Sequence, residues 1–307
     1  MFERWYALDP GAFEMRLYDY SKEKTISLRS CTAYKGNSLL ALSNDSLEYV
    51  YHQSPNIQVK YPIIQGKIQS DVTSLIAYGL KELGDINRFY RPCLLICLPQ
   101  RNHPIENEWI VRLSETNIKK IEFISIADIL DNEKFLFYIH AGHSYTQIGF
   151  LSKGNEIFIK DIPFSGQQMD EMVQRIVTEK TQCLISNEDA RMLKEAASKH
   201  LINKQNAKLS CFGMNRYQQY IKIEVMARDL WPALESVEKQ IVLWTKHCLS
   251  QLSLEYQEQI VDHGIQLSGG LANCFGLKQY LEHEMHTSVI CTNHPECDII
   301  EKMEAWK

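Results

Sequence analysis

Short apolar segments, alternating or continuous, run through the first half of the chain and predict several short β-strands. Residues 93–98 form a continuous apolar run, which is typical of a strand buried on both faces. A helix is predicted at residues 104–116 and a strand at 120–125, so this part has β-α-β order. Asp71 is a good cap for a further helix. The other predicted strands are residues 5–8, 15–20, 25–28, 38–42 and 47–51.

The strand–turn–strand pattern near residue 5 recurs near residue 137, which predicts two related lobes with a cleft between them. We expect an α/β protein whose lobes are residues 1–132, with a small subdomain at roughly 30–65, and 133–307. The final residues either stay in the second lobe or return to the first. In the second lobe we predict strands at 135–140, 146–151, 157–160, 265–267 and 289–292, and helices at 170–179, 187–197, 231–254 and 276–284.

Composition narrows the class of protein. With 307 residues, the chain is long enough for two domains without disulfides. Its 33 basic and 38 acidic residues give a net charge of −5, so we expect no nucleic-acid partner. Apolar runs are too short for a membrane-spanning helix, and the first residues lack the pattern of a secretory signal. We therefore expect a cytoplasmic protein whose nine scattered cysteines are free thiols.

Two histidine- and cysteine-containing segments suggest metal sites at first sight. His140 and His143 are three residues apart, but no third ligand follows in sequence. Cys291, His294 and Cys297 match no standard zinc spacing and lack a fourth partner. Neither segment predicts a metal site.

Six segments, in order and with similar spacing, carry a resemblance to a known family. They are residues 9–11 (Asp-Pro-Gly), 61–70, 98–106, 140–146, 165–171 and 267–272 (Leu-Ser-Gly-Gly-Leu-Ala). Over roughly residues 5–292 the chain resembles the MreB-like bacterial actins, and we identify it as a divergent member. The resemblance implies an actin-like (ribonuclease-H-like) two-lobed fold around a nucleotide cleft. It also implies self-association into protofilaments, in the cytoplasm and at the inner face of the membrane.

The resemblance further implies ATP or ADP with Mg²⁺ as cofactor. Asp9 would hold the metal through water, and Glu106 falls on the glutamate that positions the attacking water, with Glu108 as the alternative two residues on. The positions implied to bind the nucleotide are Asp9, Gly11, Gly142, Ser144, Gly166, Lys194, Gly269 and Gly270.

The second phosphate turn departs from the family pattern. His140 replaces an aspartate, His143 and Ser144 replace two glycines, and Gln167 replaces another aspartate. A neutral imidazole carries no charge and a protonated one repels Mg²⁺. We therefore predict that ATP hydrolysis is weak or lost, whereas nucleotide binding is retained or lost with the metal.

Two aromatic residues, Phe89 and Tyr90, lie between arginines where some members of the family carry a membrane loop. They suit an anionic membrane surface, and the alternative is a hairpin tip that packs on its own lobe. The resulting hypothesis is a cell-shape protein that forms or joins membrane-associated filaments, alone or beside an intact MreB paralogue. The alternatives are an active actin-type ATPase and a non-polymerising, membrane-recruited adaptor on the same fold.

Overall fold

The computed structural model describes residues 3–50, 56–84, 91–100, 104–130 and 135–306. The chain divides into two compact units. Unit 1 comprises Met1–Asn132 and Cys297–Lys307, and unit 2 comprises Glu133–Glu296. The predicted membrane residues Phe89 and Tyr90 lie outside the described residues, so the prediction for them stays open.

The elements of unit 1 come from both of its chain segments. Its strands are β1 (Arg4–Pro10), β2 (Glu14–Asp19), β3 (Lys24–Arg29), β4 (Thr32–Lys35), β5 (Ser38–Leu42), β6 (Ile57–Lys60), β7 (Ile63–Ile64), β8 (Lys67–Ile68), β9 (Pro92–Leu98) and β10 (Lys120–Ser125). Its helices are α1 (Thr73–Glu82), α2 (Pro104–Ser114), α3 (Ile126–Leu130) and α9 (Asp298–Glu304).

Unit 2 is continuous in sequence. Its strands are β11 (Phe135–Ala141), β12 (Thr146–Ser152), β13 (Asn155–Ile162), β14 (Lys208–Met214), β15 (Tyr220–Met226), β16 (Ile265–Ser268) and β17 (Val289–Ile290). Its helices are α4 (Gly166–Thr181), α5 (Asn187–Ile202), α6 (Trp231–Ser250), α7 (Leu254–His263) and α8 (Leu277–Met285).

The main sheets of the two units have the same topology. In unit 1 the described strands are ordered β10-β9-β1-β2-β3, with β1, β2 and β3 antiparallel and β9 and β10 parallel to β1. In unit 2 the order is β13-β12-β11-β16-β17, with the same alternation of directions. The repeat that the sequence predicts near residues 5 and 137 is therefore a repeat of a whole sheet.

Apolar packing follows the predicted strands closely. All seven residues of β9 are buried, as the apolar run at residues 93–98 predicts. Trp109 of α2 is fully buried in the same core, and its indole Nε1 donates to the Gly66 carbonyl at 3.0 Å. Asp71 Oδ1 accepts from the backbone amides of Thr73 and Ser74 at 2.9 and 3.2 Å, which confirms its predicted capping role.

Two local predictions are wrong. The strand predicted at residues 47–51 overlaps a 3₁₀ helix, Ser43–Tyr49. Ser43, the first residue of this 3₁₀ helix, is buried, and its Oγ accepts from the Arg29 amide at 2.8 Å. Such a side-chain hydrogen bond to the backbone competes with strand pairing. The long helix predicted at 231–254 is two helices, α6 and α7, with Ser253 Oγ capping the second at the amide of Tyr256.

Unit 2 also contains a smaller layer that the sequence pattern missed. Strands β14 and β15 form a separate two-stranded antiparallel sheet, and the apolar residues of its inner face pack with α4 and α5. In the described part of the chain, no helix is long and apolar enough to span a membrane.

Candidate functional site

The first predicted phosphate turn joins β1 to β2 in unit 1. Asp9 lies near the end of β1, and Gly11 lies in the turn. A Cβ atom on Gly11 would come within 2.3 Å of the Glu14 carbonyl oxygen, so only glycine fits this turn. Ser30, which directly follows β3, holds the turn in place. Its Oγ donates to the Gly11 carbonyl at 2.6 Å, and its amide donates to the Phe13 carbonyl at 3.0 Å.

An arginine that the sequence analysis did not select lies beside Asp9. Arg16 is paired with Asp9 across the hairpin; its Nη1 is 3.7 Å from Asp9 Oδ2, and its Nη2 donates to Glu14 Oε2 at 2.6 Å. Burial raises the pKa of Asp9, and the Arg16 charge opposes that shift. The hairpin register contained the signal, because a turn centred on residues 12 and 13 places position 16 opposite position 9.

Glu106, the predicted water-positioning residue, lies in the first turn of α2 in unit 1 and is partly exposed. Its helix is anchored by the buried neighbours Ile105 and Trp109. Glu108 lies in the same helix and is also partly exposed. An acidic residue in a first helical turn is favoured by the helix dipole alone, so the catalytic role of Glu106 stays a prediction.

The second predicted phosphate turn lies between β11 and β12 in unit 2. The Gly142 amide donates to the Tyr145 carbonyl at 3.0 Å and closes the turn. The first two amides of α4, those of Gly166 and Gln167, donate to the carbonyls of Gly142 and His143 at 3.1 and 2.8 Å. The turn therefore satisfies helix N-terminal donors that would otherwise need a cap or a ligand. Ser144, also in this turn, is buried.

Lys194 of α5 is buried and points back to the start of α4. Its Nζ lies 3.2 Å from the Gly166 carbonyl and 2.6 Å from Asp170 Oδ1. Burial raises the pKa of Asp170 to about 6, although the Lys194 charge lowers it. His143 Nδ1 lies 3.9 Å from the other oxygen of Asp170. One further turn along α5, Ser198 Oγ accepts from the Phe275 amide at 2.6 Å.

The predicted adenosine-side glycines follow β16. Gly269 has φ +88°, and a Cβ atom there would come within 2.4 Å of the Ala141 carbonyl oxygen. A Cβ atom on Gly270 would meet nothing within 4 Å. Just before them, Ser268 Oγ lies 3.1 Å from His140 Nδ1.

Within unit 2, the structure therefore brings several predicted positions together. Hydrogen bonds connect Gly142 to Gly166 and Gly166 to Lys194, and the Gly269 backbone packs against the end of β11. We call this group, with the rest of the turn at residues 142–145 and with Gly270, the turn cluster. Asp170, which binds Lys194 in this cluster, was part of a matched motif but was not selected as a site residue.

A buried acid lies on α6 in the same unit and was also missed. Glu238 is 1% exposed, and burial, reinforced by the charge of Glu235, raises its pKa to about 8. The Cys274 thiol hydrogen-bonds this carboxyl group, and burial raises the pKa of that thiol to about 12. Glu238 Oε1 has no hydrogen-bond partner in the described part of the molecule.

No group of three or more His, Cys, Asp or Glu side chains in the described ranges is arranged to hold a metal ion. This holds for the described residues of both predicted phosphate turns. Mg²⁺ normally takes one or two protein carboxylates and completes its shell with water and phosphate oxygens.

Comparison with known proteins assigns the chain to a family. The family model described as MreB/Mbl protein matches residues 4–305. The cell shape-determining protein Mbl of Bacillus subtilis (strain 168) is 22% identical over 309 residues, which cover 96% of this chain and 93% of that protein. The cell shape-determining protein Mbl of Bacillus cereus (strain ATCC 10987 / NRS 248) is 22% identical over the same shares of the two chains.

Solved structures of other proteins share the fold of this chain. MreB5 of Spiroplasma citri bound to AMPPNP aligns with a TM-score of 0.89 at 16% identity, covering 100% of this chain and 96% of that one. A chain of the MamK double helical filament aligns with a TM-score of 0.75 at 16% identity, covering 97% and 96%. The fold is thus the actin-like α/β fold that the motifs predict. The chain belongs to the MreB/Mbl family of actin-like cytoskeletal proteins, which act in cell shape and form filaments.

Proposed function

We propose that this chain is a cytoskeletal protein that acts in cell shape, assembles into filaments and binds an adenine nucleotide. The turn cluster is the observation that carries the nucleotide part. Its members Gly142, Gly166, Lys194 and Gly269 lie together in unit 2, at positions where the family resemblance implies nucleotide contacts. In unit 1, Asp9 and Gly11 are the corresponding proposed contacts. The similar MreB5 structures, solved with AMPPNP and with ADP, support the same class of ligand.

In this proposal hydrolysis of the nucleotide is slow. Glu106 is retained as the residue that would orient the attacking water, but His140 supplies no carboxylate at the second turn. Ser144 and Gly270 complete the set of proposed contacts: the first through its hydroxyl, the second because its open surroundings leave room for a ligand. An active ATPase remains the alternative within the same fold.

Electron microscopy and a phosphate-release assay on the same purified samples test this function. We expect filaments with ATP, few or none without nucleotide, and slow release of phosphate. The Gly270→Glu variant should lose the response to ATP, because it places a carboxylate at an exposed position of the turn cluster. Gly270→Ala is the matched control and should keep the response.

Absence of filaments in every condition would contradict the polymerising role and favour the adaptor alternative. Filaments that form equally well without nucleotide, or with the Gly270→Glu protein in ATP, would contradict the nucleotide role of the turn cluster. Rapid phosphate release would favour the active ATPase.

We also propose that the protein works at the inner face of the membrane and that Phe89 and Tyr90 contact the lipid surface. The support is the sequence alone, two aromatic residues between Arg88 and Arg91. Replacing both aromatics by Ser should reduce sedimentation with anionic liposomes severalfold. The control replaces Phe212 and Tyr217, which are 58% and 66% exposed on unit 2, by Ser. Equal pelleting of the two double variants would rule out the loop as the anchor.

A further inference from the structure

The acidic side chains at the first predicted phosphate turn, Asp9 and Glu14, are already paired with an arginine side chain. Arg16 lies 3.7 Å from the Asp9 carboxylate and 2.6 Å from the Glu14 carboxylate, and its side chain is only 10% exposed. A metal ion at Asp9, directly or through water, would stand a few ångströms from a buried guanidinium that never loses its charge. In unit 1 the Asp9 carboxylate is therefore already paired with Arg16, and the Arg16 charge would repel Mg²⁺.

The second turn offers Mg²⁺ no better ligands. His140 stands where the family resemblance implies a carboxylate, and its ring Nδ1 contacts Ser268 Oγ at 3.1 Å. Mg²⁺ prefers oxygen ligands and has little affinity for imidazole. Asp170 is the carboxylate that the structure places beside this turn, and Lys194 binds it at 2.6 Å with both side chains buried. The residues present do not fit the metal that the fold family implies.

We propose that this chain binds the phosphate groups of its nucleotide without a divalent cation, with Arg16 of unit 1 supplying positive charge. The proposal rests on the nucleotide binding proposed above. Arginine binds phosphate oxygens through charge-assisted hydrogen bonds. At Arg16 a phosphate oxygen would replace Glu14, whose side chain is 29% exposed against 17% for Asp9.

The wild-type protein gives the first test. The affinity for ATP is measured by calorimetry once with millimolar MgCl₂ and once with EDTA and no added metal. We expect the two dissociation constants to agree within about threefold. A loss of affinity of about tenfold or more in EDTA would overturn the proposal while leaving nucleotide binding intact. Absence of binding in both buffers would overturn the proposed nucleotide function as well, so the two failures are distinguishable.

A pair of variants tests the cause. His140→Asp introduces the carboxylate that the family resemblance implies, and His140→Asn introduces the same shape without the charge. We expect the Asp variant to bind ATP about tenfold more tightly with Mg²⁺ than with EDTA, and the Asn variant to show no such dependence. His140 is only partly buried, so both replacements should fold, which circular dichroism checks.

Two results of the variant test would contradict the proposal. If the Asp variant stays indifferent to Mg²⁺, the missing charge at position 140 is not the reason for metal independence and the proposed cause is wrong. If the Asn variant also becomes dependent on Mg²⁺, a side-chain shape and not a charge controls the metal, which contradicts the proposal too.

Discussion

Replacing Gly269 by Ala is expected to lower the melting temperature by roughly 6–12 °C, at about 2–4 °C per kcal/mol for a domain of this size. Gly269 has φ 88° and ψ 163°, a backbone conformation that is essentially restricted to glycine and costs other residues up to about 3 kcal/mol. The new methyl group would also press against the Ala141 carbonyl oxygen, 2.4 Å away in the present geometry. That oxygen is backbone at the end of a central strand and has little room to move. Thermal unfolding followed by circular dichroism measures the effect.

Gly270→Ala is the matched control for this prediction. The substitution is the same, one position further along, where the added atom meets nothing within 4 Å. Its melting temperature should stay within about 2 °C of wild type, because a surface change without new contacts rarely exceeds ~0.5 kcal/mol. Equal destabilisation by both variants would show that loss of glycine flexibility, and not the contact with Ala141, controls this turn.

The second large effect concerns Glu238 and depends on pH. In the folded protein its pKa is about 8, whereas an unfolded glutamate has a pKa near 4.5. Between these values the folded state keeps a proton that the unfolded state releases, so rising pH destabilises the protein through this residue. This destabilisation by Glu238 is fully present above about pH 8 and absent below about pH 4.5. At about 1.4 kcal/mol per pKa unit, the contribution over this window is about 3–5 kcal/mol.

Glu238→Met should therefore stabilise the protein at pH 8, because methionine has a similar length and no group to ionise. The difference in unfolding free energy between variant and wild type should shrink by about 3 kcal/mol or more between pH 8 and pH 5. Urea unfolding at several pH values measures it. Glu258→Gln is the control, since Glu258 is an exposed glutamate of α7 in the same unit. A difference that does not change with pH would contradict the raised pKa of Glu238.

The strands of the two five-stranded sheets and the family were predictable from sequence because their signals are local or ordered along the chain. The continuous apolar run that forms β9 and the turn glycines Gly11 and Gly142 are such signals. The 3₁₀ helix Ser43–Tyr49 was not predictable in this way. Its first residue, Ser43, is hydrogen-bonded to Arg29 and Cys31, which belong to other segments of the chain. Local pattern alone does not carry the contacts that overrule it.

The candidate site was predicted in part for the same reason. Motif order assigned Gly166 and Gly269, and the family resemblance implied Lys194. The structure brings the three together in unit 2, although their role toward a ligand stays a proposal. Arg16 was missed because a motif comparison considers the matched positions and not the residue opposite them in a hairpin. Glu238 was missed because it lies on the apolar face of α6, four residues after Leu234 and three before Ile241, where only burial makes a glutamate unusual.

The division of the chain has a consequence for its synthesis. Unit 1 is interrupted by the whole of unit 2, and its closing helix α9 packs on β1. Ile299, Ile300 and Met303 of this helix are all buried. A chain made from its N-terminus can complete unit 2 once Glu296 has left the ribosome, whereas β1 must wait for α9. During translation the earlier-made sheet thus keeps an uncovered apolar surface longer than the later-made one.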